Sequence, residues 1–276
     1  MTTPTVHRLG IVAGDKHLPF ILVDYAKSHG IQVFVAGIKG CVSPDLKTNV
    51  PHDNYIEYPI SSLSATIRFF HSKNVDTVIL AGGVSGTKVG FSFDLIRAFF
   101  YLLGKKNKYD EILRYVIKRF EGAGFFVIGI HDFMPHLLIE RGLLTKTKPT
   151  ASNLSDAKFG YPMAVQFAQT DKGQSIIVKD KTVIATERFS GTDALIRYAS
   201  TLPNSNGAIL VKVIKPQQEI RADIPVLGVN TIRELSNAGF SGVVIQSDKS
   251  IIDNKSEVIS LADSLGIFLL GTDGNF

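Results

Sequence analysis

The 276-residue sequence has a single cysteine, Cys41, so it cannot form a disulfide within the chain. A secreted scaffold held together by internal disulfides is therefore excluded, and a reducing compartment is favoured. Histidine is also scarce, because all seven histidines lie at or before His136. Since the C-terminal half has no imidazole, we do not expect a zinc site of the His/Cys type in that half.

Long apolar runs and long basic runs are both missing from the sequence. No run approaches the ~18 apolar residues that a membrane-spanning helix needs, and no charged-then-apolar leader precedes the first predicted strand. We therefore expect a cytoplasmic protein. The formal net charge of +5 favours anionic partners. There is no concentrated Lys/Arg tract and no nucleic-acid-reading signature, so nucleic acid is not expected among the partners.

The first half of the chain alternates short apolar runs with helical patterns, and this alternation predicts an α/β fold. We expect buried strands at residues 9–13, 32–38, 77–81 and 125–130. We expect helices at residues 18–29, 62–71, 92–103 and 110–123. Strands that alternate with helices in this way indicate a mainly parallel, Rossmann-like sheet.

The second half resumes an α/β pattern after a polar stretch with Gly and Pro. We predict strands at residues 175–178, 182–185, 208–214, 242–245 and 267–270. Helices are predicted at residues 161–170, 193–200, 232–238 and 255–265, the third of them opened by a T-x-x-E capping box from Thr231 to Glu234. We therefore predict two α/β domains with the ligand cleft between them: residues 1–139, a linker at 140–158, and residues 159–276.

A polar stretch at residues 212–232 lies between a predicted buried strand and a predicted helix. Two prolines, Pro216 and Pro225, resist regular structure and stiffen its path. Its cations include Lys212 and Lys215, which suit the oxyanions of a phosphoryl substrate, and the carboxylate of Asp223 suits a metal or a water. The alternative reading is a solvated crossover with surface ion pairs, because clustered charge is only a probabilistic indication of function.

Three glycine-containing turns are candidates for binding phosphate. Gly14 lies in a strand-to-helix turn, and Gly83 and Ser85 follow the predicted strand at residues 77–81. Gly191 and Thr192 precede the predicted helix at 193–200, where Thr192 is expected to be the N-cap. Turns of this kind present backbone N–H groups to anions. The alternative for the Gly14 turn is a purely structural role.

The predicted helix at residues 92–103 is unusually apolar, and basic residues follow it at 105–108. One reading is a buried helix with a solvated basic end. The other is an apolar surface that contacts acyl chains or the bilayer interface, with the basic residues anchoring it on anionic lipid. The residues alone leave both readings open.

The polar stretch also resembles a known family. Its K-P-Q-Q-E-I-R-A-D-I-P-V-L-G-V-N-T-I, residues 215–232, is similar to the signature K-P-x-Q-[DE]-x-R-x-D-x-P-x-x-G-x-x-T. This signature is typical of the UDP-2,3-diacylglucosamine pyrophosphatases of lipid A synthesis, of the type unrelated to calcineurin-like phosphoesterases. The resemblance includes L-G-I-V-A-G near the start, A-G-G-V-S in the middle, and E-R-F-S-G-T-D-A at 187–194.

The resemblance implies a metal-dependent hydrolase that cleaves UDP-2,3-diacylglucosamine to UMP and 2,3-diacylglucosamine 1-phosphate. The cofactor expected from the carboxylates and the missing histidines is Mg²⁺, held by Asp223 and Asp193. The C-terminal domain is then the catalytic one, and the expected catalytic residues are Asp223, Arg221 and Lys215. The expected substrate-binding residues are Gly14, Gly83, Ser85, Gly191, Thr192, Lys212 and Gln218.

The expected partners are a lipid-linked nucleotide-sugar substrate and, at the periphery, the inner-membrane surface; a homodimer is left open. Two other functions also remain open. One is a glycosyltransferase-like nucleotide-sugar enzyme, because two α/β domains around a cleft serve that chemistry equally well. The other is a non-catalytic protein that binds a lipid-linked nucleotide, because Lys16 and Gly86-Thr87 replace residues of the family pattern.

Overall fold

The computed structural model describes residues 6–15, 17–59, 62–83, 109–188 and 191–276. The chain divides into two compact units. The first unit comprises the described residues up to Pro135 together with Glu219–Ala222, and the second comprises His136–Gln218 and Asp223–Phe276. The prediction of two α/β domains with a mainly parallel sheet in the first is confirmed, while residues 84–108, which include the apolar helix predicted at 92–103, lie outside the described part.

The first unit is built on a five-stranded parallel sheet with the order β3-β2-β1-β4-β5. Its described elements are β1 (Arg8–Ala13), α1 (Leu18–Ser28), β2 (Gln32–Ile38), α2 (Pro44–Thr48), β3 (Tyr55–Tyr58), α3 (Leu63–Ser72), β4 (Thr77–Ala81), α4 (Tyr109–Glu121), β5 (Phe126–Val127) and α5 (Ile130–Phe133).

Aromatic packing closes the core of the first unit on one side of this sheet. Phe70 of α3 lies 6.1 Å from the ring centroid of Phe120 in α4 and 6.2 Å from that of Phe125. Phe120 and Phe125 are 5.9 Å apart and meet edge to face, which is a favoured arrangement of aromatic rings. All three rings are buried, so the helices are anchored on the sheet by apolar burial.

Strand β5 ends earlier than the sequence predicts. The apolar run at residues 125–130 forms only a two-residue strand, because the chain turns at Gly129 into the short helix α5. The backbone N–H of Gly129 donates to Asp132 Oδ2 at 2.9 Å, which caps that helix. Strand β3 was not predicted, since it is a short edge strand of partly exposed residues and lacks an apolar run.

The second unit has a mixed six-stranded sheet with the order β6-β13-β11-β9-β7-β8, and a two-stranded sheet of β10 and β12. Its elements are β6 (Gly142–Leu143), α6 (Ala151–Gln169), β7 (Ser175–Lys179), β8 (Thr182–Thr186), α7 (Thr192–Ser200), β9 (Ile209–Lys212), β10 (Val226–Leu227), α8 (Val229–Asn237), β11 (Gly242–Gln246), β12 (Ile251–Ile252), α9 (Lys255–Ser264) and β13 (Phe268–Thr272).

Three of the larger sheet's strands are parallel, and two of the remaining ones form a hairpin. Strands β9, β11 and β13 run parallel, whereas β7 is antiparallel to both β8 and β9. The hairpin turn, Asp180-Lys181, has positive φ at both residues, as a two-residue turn between twisted strands requires. Asp156 stabilises this turn because its carboxylate accepts from the backbone N–H groups of both turn residues.

Residues 140–158 are not a plain connection, because they contain β6 and the first turns of α6. Helix α6 begins at Ala151 and not at residue 161. Its N-cap Thr150 accepts from the backbone N–H of Asn153 at 3.1 Å, so the capping box ends in asparagine where the common pattern has Glu or Gln. Pro162 lies inside the helix, and a proline usually indicates a helix start or a break. In the part of the chain that the structure describes, no helix is long and apolar enough to cross a membrane.

Candidate active site

Two backbone turns meet at the carboxyl edge of the first unit's sheet, where β1 and β4 are neighbours. The backbone N–H of Gly14 donates to the Ala81 carbonyl at 2.8 Å, and that of Asp15 donates to the Gly83 carbonyl at 2.7 Å. A Cβ on Gly14 would lie 2.2 Å from the Gly83 carbonyl oxygen. The structure therefore brings Gly14 and Gly83 together and gives Gly14 a structural reason to be glycine.

The same edge has the position that favours ligand binding in an open parallel sheet. The strand order reverses between β1 and β4, and ligands bind outside the carboxyl ends at such a switch point. Among the described residues that follow the strands of the first unit, two have a buried side-chain atom with no hydrogen-bond partner: Asp15 Oδ1 after β1, and His131 Nδ1 after β5. We call Gly14, Asp15, Gly83 and His131 the glycine edge. Ser85 lies outside the described residues.

A second polar group lies within the second unit and consists of four side chains, which we call the Thr192 cluster: Ser175, Glu187, Thr192 and Lys212. They come from the start of β7, the residue after β8, the first residue of α7 and the last residue of β9. Thr192 is at its centre. Its Oγ1 lies 3.0 Å from Glu187 Oε1, 3.2 Å from Ser175 Oγ and 3.3 Å from Lys212 Nζ.

The sequence predicts Thr192 as the N-cap of α7, and this prediction is wrong, because Gly191 occupies that position with φ +84°. A positive φ of this kind favours glycine. The Thr192 hydroxyl instead donates to the Glu187 carboxylate. The N–H groups of the first turn of a helix have no partner within the helix, so Thr192 still contributes a backbone donor to the N-terminus of α7. The Gly191 N–H, by contrast, donates to the Arg188 carbonyl at 3.1 Å.

Gln218 holds Asp223 in a tight loop of the polar stretch. The Gln218 Nε2 group donates to both the backbone carbonyl and Oδ2 of Asp223, at 2.6 and 2.8 Å. Its Oε1 accepts from the backbone N–H of Lys215 at 3.2 Å. Both ends of this buried amide are therefore engaged, and the observed role of Gln218 is to orient the Asp223 carboxylate.

Lys215 is held by the carboxylate of Asp171. Its ammonium lies 3.0 Å from Asp171 Oδ1, and both side chains are largely buried. Asp171 has φ +59° in the turn between α6 and β7. Sequence offers little signal for this pair, because the two residues are far apart in the chain and Asp171 reads as an ordinary turn residue.

Arg221 belongs to the first unit and is held there by two carboxylates. Its Nε and Nη2 donate to Glu219 at 2.9 and 3.1 Å, and its Nη1 donates to Glu121 at 2.8 Å. The hydrogen bonds from Arg221 lower the pKa of the Glu219 carboxyl, against the opposing effect of burial. The bonds to Glu219, followed by those to Glu121, raise the pKa of the guanidinium. Catalysis by Arg221 stays a prediction, since this geometry accounts for its charge through ion pairs.

Asp193 lies in the first turn of α7 and accepts from Thr231 Oγ1 at 2.9 Å. This contact overturns the predicted capping box at Thr231 and Glu234. Helix α8 begins at Val229 with Gly228 as its N-cap, so Thr231 lies inside the helix and its hydroxyl bonds to Asp193. Glu234 pairs with Arg197. The sequence pattern is misleading here because the hydroxyl finds a tertiary partner.

The carboxylates of Asp223 and Asp193 fit Mg²⁺ only if waters and substrate phosphate supply the other ligands. Across the described residues, no three His, Cys, Asp or Glu side chains are grouped so that they could hold a metal ion. Mg²⁺ is usually bound by one or two carboxylates, with waters and substrate phosphate completing its shell. Asp223 and Asp193 have the right type of oxygen for this mode, and each already has a neighbour that orients it.

Comparison with known proteins identifies similar sequences across both units. The LpxI N-terminal domain model matches residues 8–137, and the LpxI C-terminal domain model matches residues 140–270. A similar curated protein is the UDP-2,3-diacylglucosamine pyrophosphatase LpxI of Caulobacter vibrioides. It is 29% identical over 281 residues, which cover 97% of this chain and 98% of that protein.

Proposed function

This chain belongs to the LpxI family, and on that premise we propose that it hydrolyses the pyrophosphate bond of UDP-2,3-diacylglucosamine. The products are UMP and 2,3-diacylglucosamine 1-phosphate. The observation that carries the proposal is the match to the named pyrophosphatase, which extends over nearly the full length of both proteins. The similarity is therefore not confined to one of the two units.

The second unit supplies side chains suited to this chemistry. Two cations, Lys212 and Lys215, suit a diphosphate because they stabilise the charge that develops on its oxygens. Asp223 is the proposed catalytic carboxylate, which orients the attacking water, and the hydrogen bonds from Gln218 support this role. We propose that the backbone N–H of Thr192 binds a phosphate oxygen at the N-terminus of α7, beside the N-cap Gly191.

We propose that the glycine edge binds the nucleotide half of the substrate. The switch point between β1 and β4 supports this assignment, and so do the two buried atoms without a partner, Asp15 Oδ1 and His131 Nδ1. Gly14 and Gly83 keep the two turns close together, so the backbone there is set before ligand arrives. Ser85 stays part of this proposal.

We propose Mg²⁺ as the cofactor, held by Asp223 and Asp193. When bound, the ion supplies a Lewis acid that neutralises phosphate charge. The absence of histidine from the C-terminal half of the sequence and the carboxylate oxygens support this choice. The role of the chain is to keep both carboxylates oriented, through Gln218 and Thr231.

We further propose that the enzyme acts in the cytoplasm and associates peripherally with the inner membrane. A substrate with two acyl chains supports this proposal, because such a molecule partitions into the bilayer. Light scattering of the same preparation would test whether the chain forms a homodimer.

The decisive experiment is an incubation of the purified full-length chain with UDP-2,3-diacylglucosamine and Mg²⁺. Release of UMP with 2,3-diacylglucosamine 1-phosphate, without any acceptor, is the expected result. Release that depends on an added acceptor would indicate a glycosyltransferase. Binding without turnover would indicate a lipid-nucleotide binding protein. Either of these two results overturns the proposal.

Removal of the metal tests the cofactor separately. We expect exhaustive treatment with EDTA to abolish turnover, and we expect added Mg²⁺ to restore it. Zn²⁺, which prefers nitrogen and sulfur ligands, should restore it poorly. Full turnover after chelation, with no metal added back, would contradict the proposal.

A further inference from the structure

The Thr192 cluster contains a buried carboxylate that the proposed chemistry does not use. Glu187 follows β8, and its residue is only 7% exposed. Its Oε1 accepts from the Thr192 hydroxyl at 3.0 Å, and its Oε2 accepts from the backbone N–H of Gln174 at 2.8 Å. A buried charge is costly unless it is hydrogen-bonded and compensated, so Glu187 calls for a physical explanation.

The hydrogens in this cluster can be assigned from the residue types. A lysine ammonium can only donate and an ionised carboxylate can only accept, whereas a threonine hydroxyl has one hydrogen and two lone pairs. The single hydrogen of Thr192 therefore goes to Glu187. Its lone pairs then accept from Lys212 Nζ at 3.3 Å and from the Ser175 hydroxyl at 3.2 Å. In this arrangement the Thr192 hydroxyl can form no further hydrogen bond, because its hydrogen and both lone pairs are used.

Glu187 thus determines which way the Thr192 hydroxyl points. As long as Glu187 accepts the hydrogen, a lone pair of Thr192 faces Lys212. The Lys212 residue is only 8% exposed, and its ammonium also donates to the Val226 carbonyl at 3.5 Å. The negative charge of Glu187 reaches the buried ammonium through a single hydroxyl, and hydrogen-bond chains of this kind strengthen one another at low dielectric.

We propose that Glu187 is a positioning residue that acts through the Thr192 hydroxyl to hold and compensate the buried Lys212 ammonium, which neutralises the substrate diphosphate. This inference rests on the proposed function. It adds a residue that does not touch substrate but determines where the cation lies. It also changes the role of the Thr192 side chain, whose hydroxyl serves Lys212 while its backbone N–H remains for the phosphate.

The test is Glu187→Gln, which has nearly the same shape but no charge. A glutamine places one N–H donor where the glutamate has an acceptor. It therefore cannot accept from both Gln174 N–H and the Thr192 hydroxyl, each through its own oxygen. We expect kcat to fall on the order of tenfold to a hundredfold because the cation is misplaced where charge develops, while KM changes less than kcat, because Glu187 itself does not touch the substrate.

A double-mutant cycle separates positioning from a purely structural role. Thr192→Val removes the hydroxyl that links the two charges, and Thr192→Ser keeps it. We expect Thr192→Val to lower kcat about as much as Glu187→Gln, and we expect the double variant to be no worse than Thr192→Val alone. Thr192→Ser should retain most of the wild-type kcat.

Asp156→Asn is the matched control. Asp156 is also a buried carboxylate of the second unit that accepts from backbone N–H groups, those of Asp180 and Lys181. It should lower the unfolding temperature and leave kcat of the folded enzyme unchanged. If Glu187→Gln behaves like this control, or if its effect adds fully to that of Thr192→Val, the positioning role is refuted. If the wild-type chain releases no UMP, the proposed function itself fails, and that outcome is distinct because it precedes any variant.

Discussion

The glycine edge is formed mainly by backbone contacts, whereas the Thr192 cluster is formed by side-chain hydrogen bonds. At the glycine edge, two backbone turns touch so closely that a Cβ on Gly14 would lie 2.2 Å from a carbonyl oxygen. In the cluster, side chains from four segments share hydrogen bonds around one hydroxyl. The first region therefore depends on the absence of side-chain volume, and the second depends on charge and on hydrogen-bond direction.

This difference predicts how each region responds to substitution. Adding a methyl group at the glycine edge should act on stability, because overpacked backbone has to move. Changing a charge near the cluster or the Gln218–Asp223 loop should act on turnover with less effect on stability, because the sheet beneath it is formed by buried apolar strands such as β9. Four substitutions test this contrast, in order from the largest expected effect to the smallest.

Asp223→Ala should abolish turnover, on the order of a 10³-fold loss in kcat or more, if the carboxylate organises metal and water together. Binding of substrate should largely survive, because Lys212 and Lys215 remain. Asp223→Asn keeps the shape and an oxygen that accepts from Gln218, and we expect it to lose nearly as much. The measurement is steady-state kinetics with calorimetric binding of substrate. A folded Asp223→Ala variant with near-normal kcat would restrict this loop to binding.

Gly14→Ala should destabilise the first unit by about 1–3 kcal/mol or more, because its Cβ meets backbone and not a flexible side chain. The measurement is the free energy of unfolding in urea. Gly228→Ala is the control, since a Cβ at Gly228 meets no atom within 4 Å and its φ is −127°. If both variants lose the same stability, the close approach of the two turns is not what requires glycine.

Asp193→Ala should lower kcat on the order of tenfold and raise the Mg²⁺ concentration needed for half-maximal activity, because one of two metal carboxylates is lost. Thr231→Val is the control, as it removes the hydroxyl donor and leaves the carboxylate in place. It should raise the Mg²⁺ requirement much less than Asp193→Ala does, because the carboxylate stays and only the donor that orients it is lost. A requirement that is the same in wild type and Asp193→Ala would limit Asp193 to its contact with α8.

Glu219→Gln should have the smallest effect, on the order of 1 kcal/mol or less of stability at neutral pH, since ion pairs with partly exposed partners contribute little. Arg221 lowers the pKa of Glu219 below its usual value of about 4.5. The pair therefore stabilises the folded state above that value and loses its effect as the pH falls through the lowered pKa. Urea unfolding at a series of pH values should show the two proteins converging in acid. A constant difference down to strongly acidic pH would contradict this assignment.

Much of the fold could be predicted from the sequence because apolar runs determine where the buried strands lie. The strands predicted at residues 32–38 and 77–81 have those bounds in the structure, since buried parallel strands are nearly continuous apolar runs. The strands at β7 and β8 were also predicted, each to within one residue of its bounds. Strand β3 and the start of α6 were not, because an exposed edge strand carries no apolar run, and because a helix can contain a proline when its other contacts compensate.

The sequence predicted only part of the candidate site, because the rest depends on tertiary contacts. The signature stretch identified Lys212, Lys215, Gln218 and Asp223, and the predicted family is confirmed. Asp171, the partner of Lys215, was missed because the two residues are far apart in the chain. Glu187 was not identified as a site residue because only its contacts with Thr192 and Gln174 distinguish it. Arg221 illustrates the converse, since its neighbours in sequence suggested phosphate binding, whereas its contacts are with Glu219 and Glu121.

The sequence by itself determined the two α/β units, the parallel sheet of the first and the family, because these follow from apolar periodicity and from a long contiguous motif. Only the tertiary structure decided which carboxylate each cation meets and which way the Thr192 hydroxyl points. Hydrogen bonds and ion pairs act over about 3 Å, and that proximity arises from strand order and helix packing, which bring together residues such as Glu187 and Lys212 that are distant along the chain.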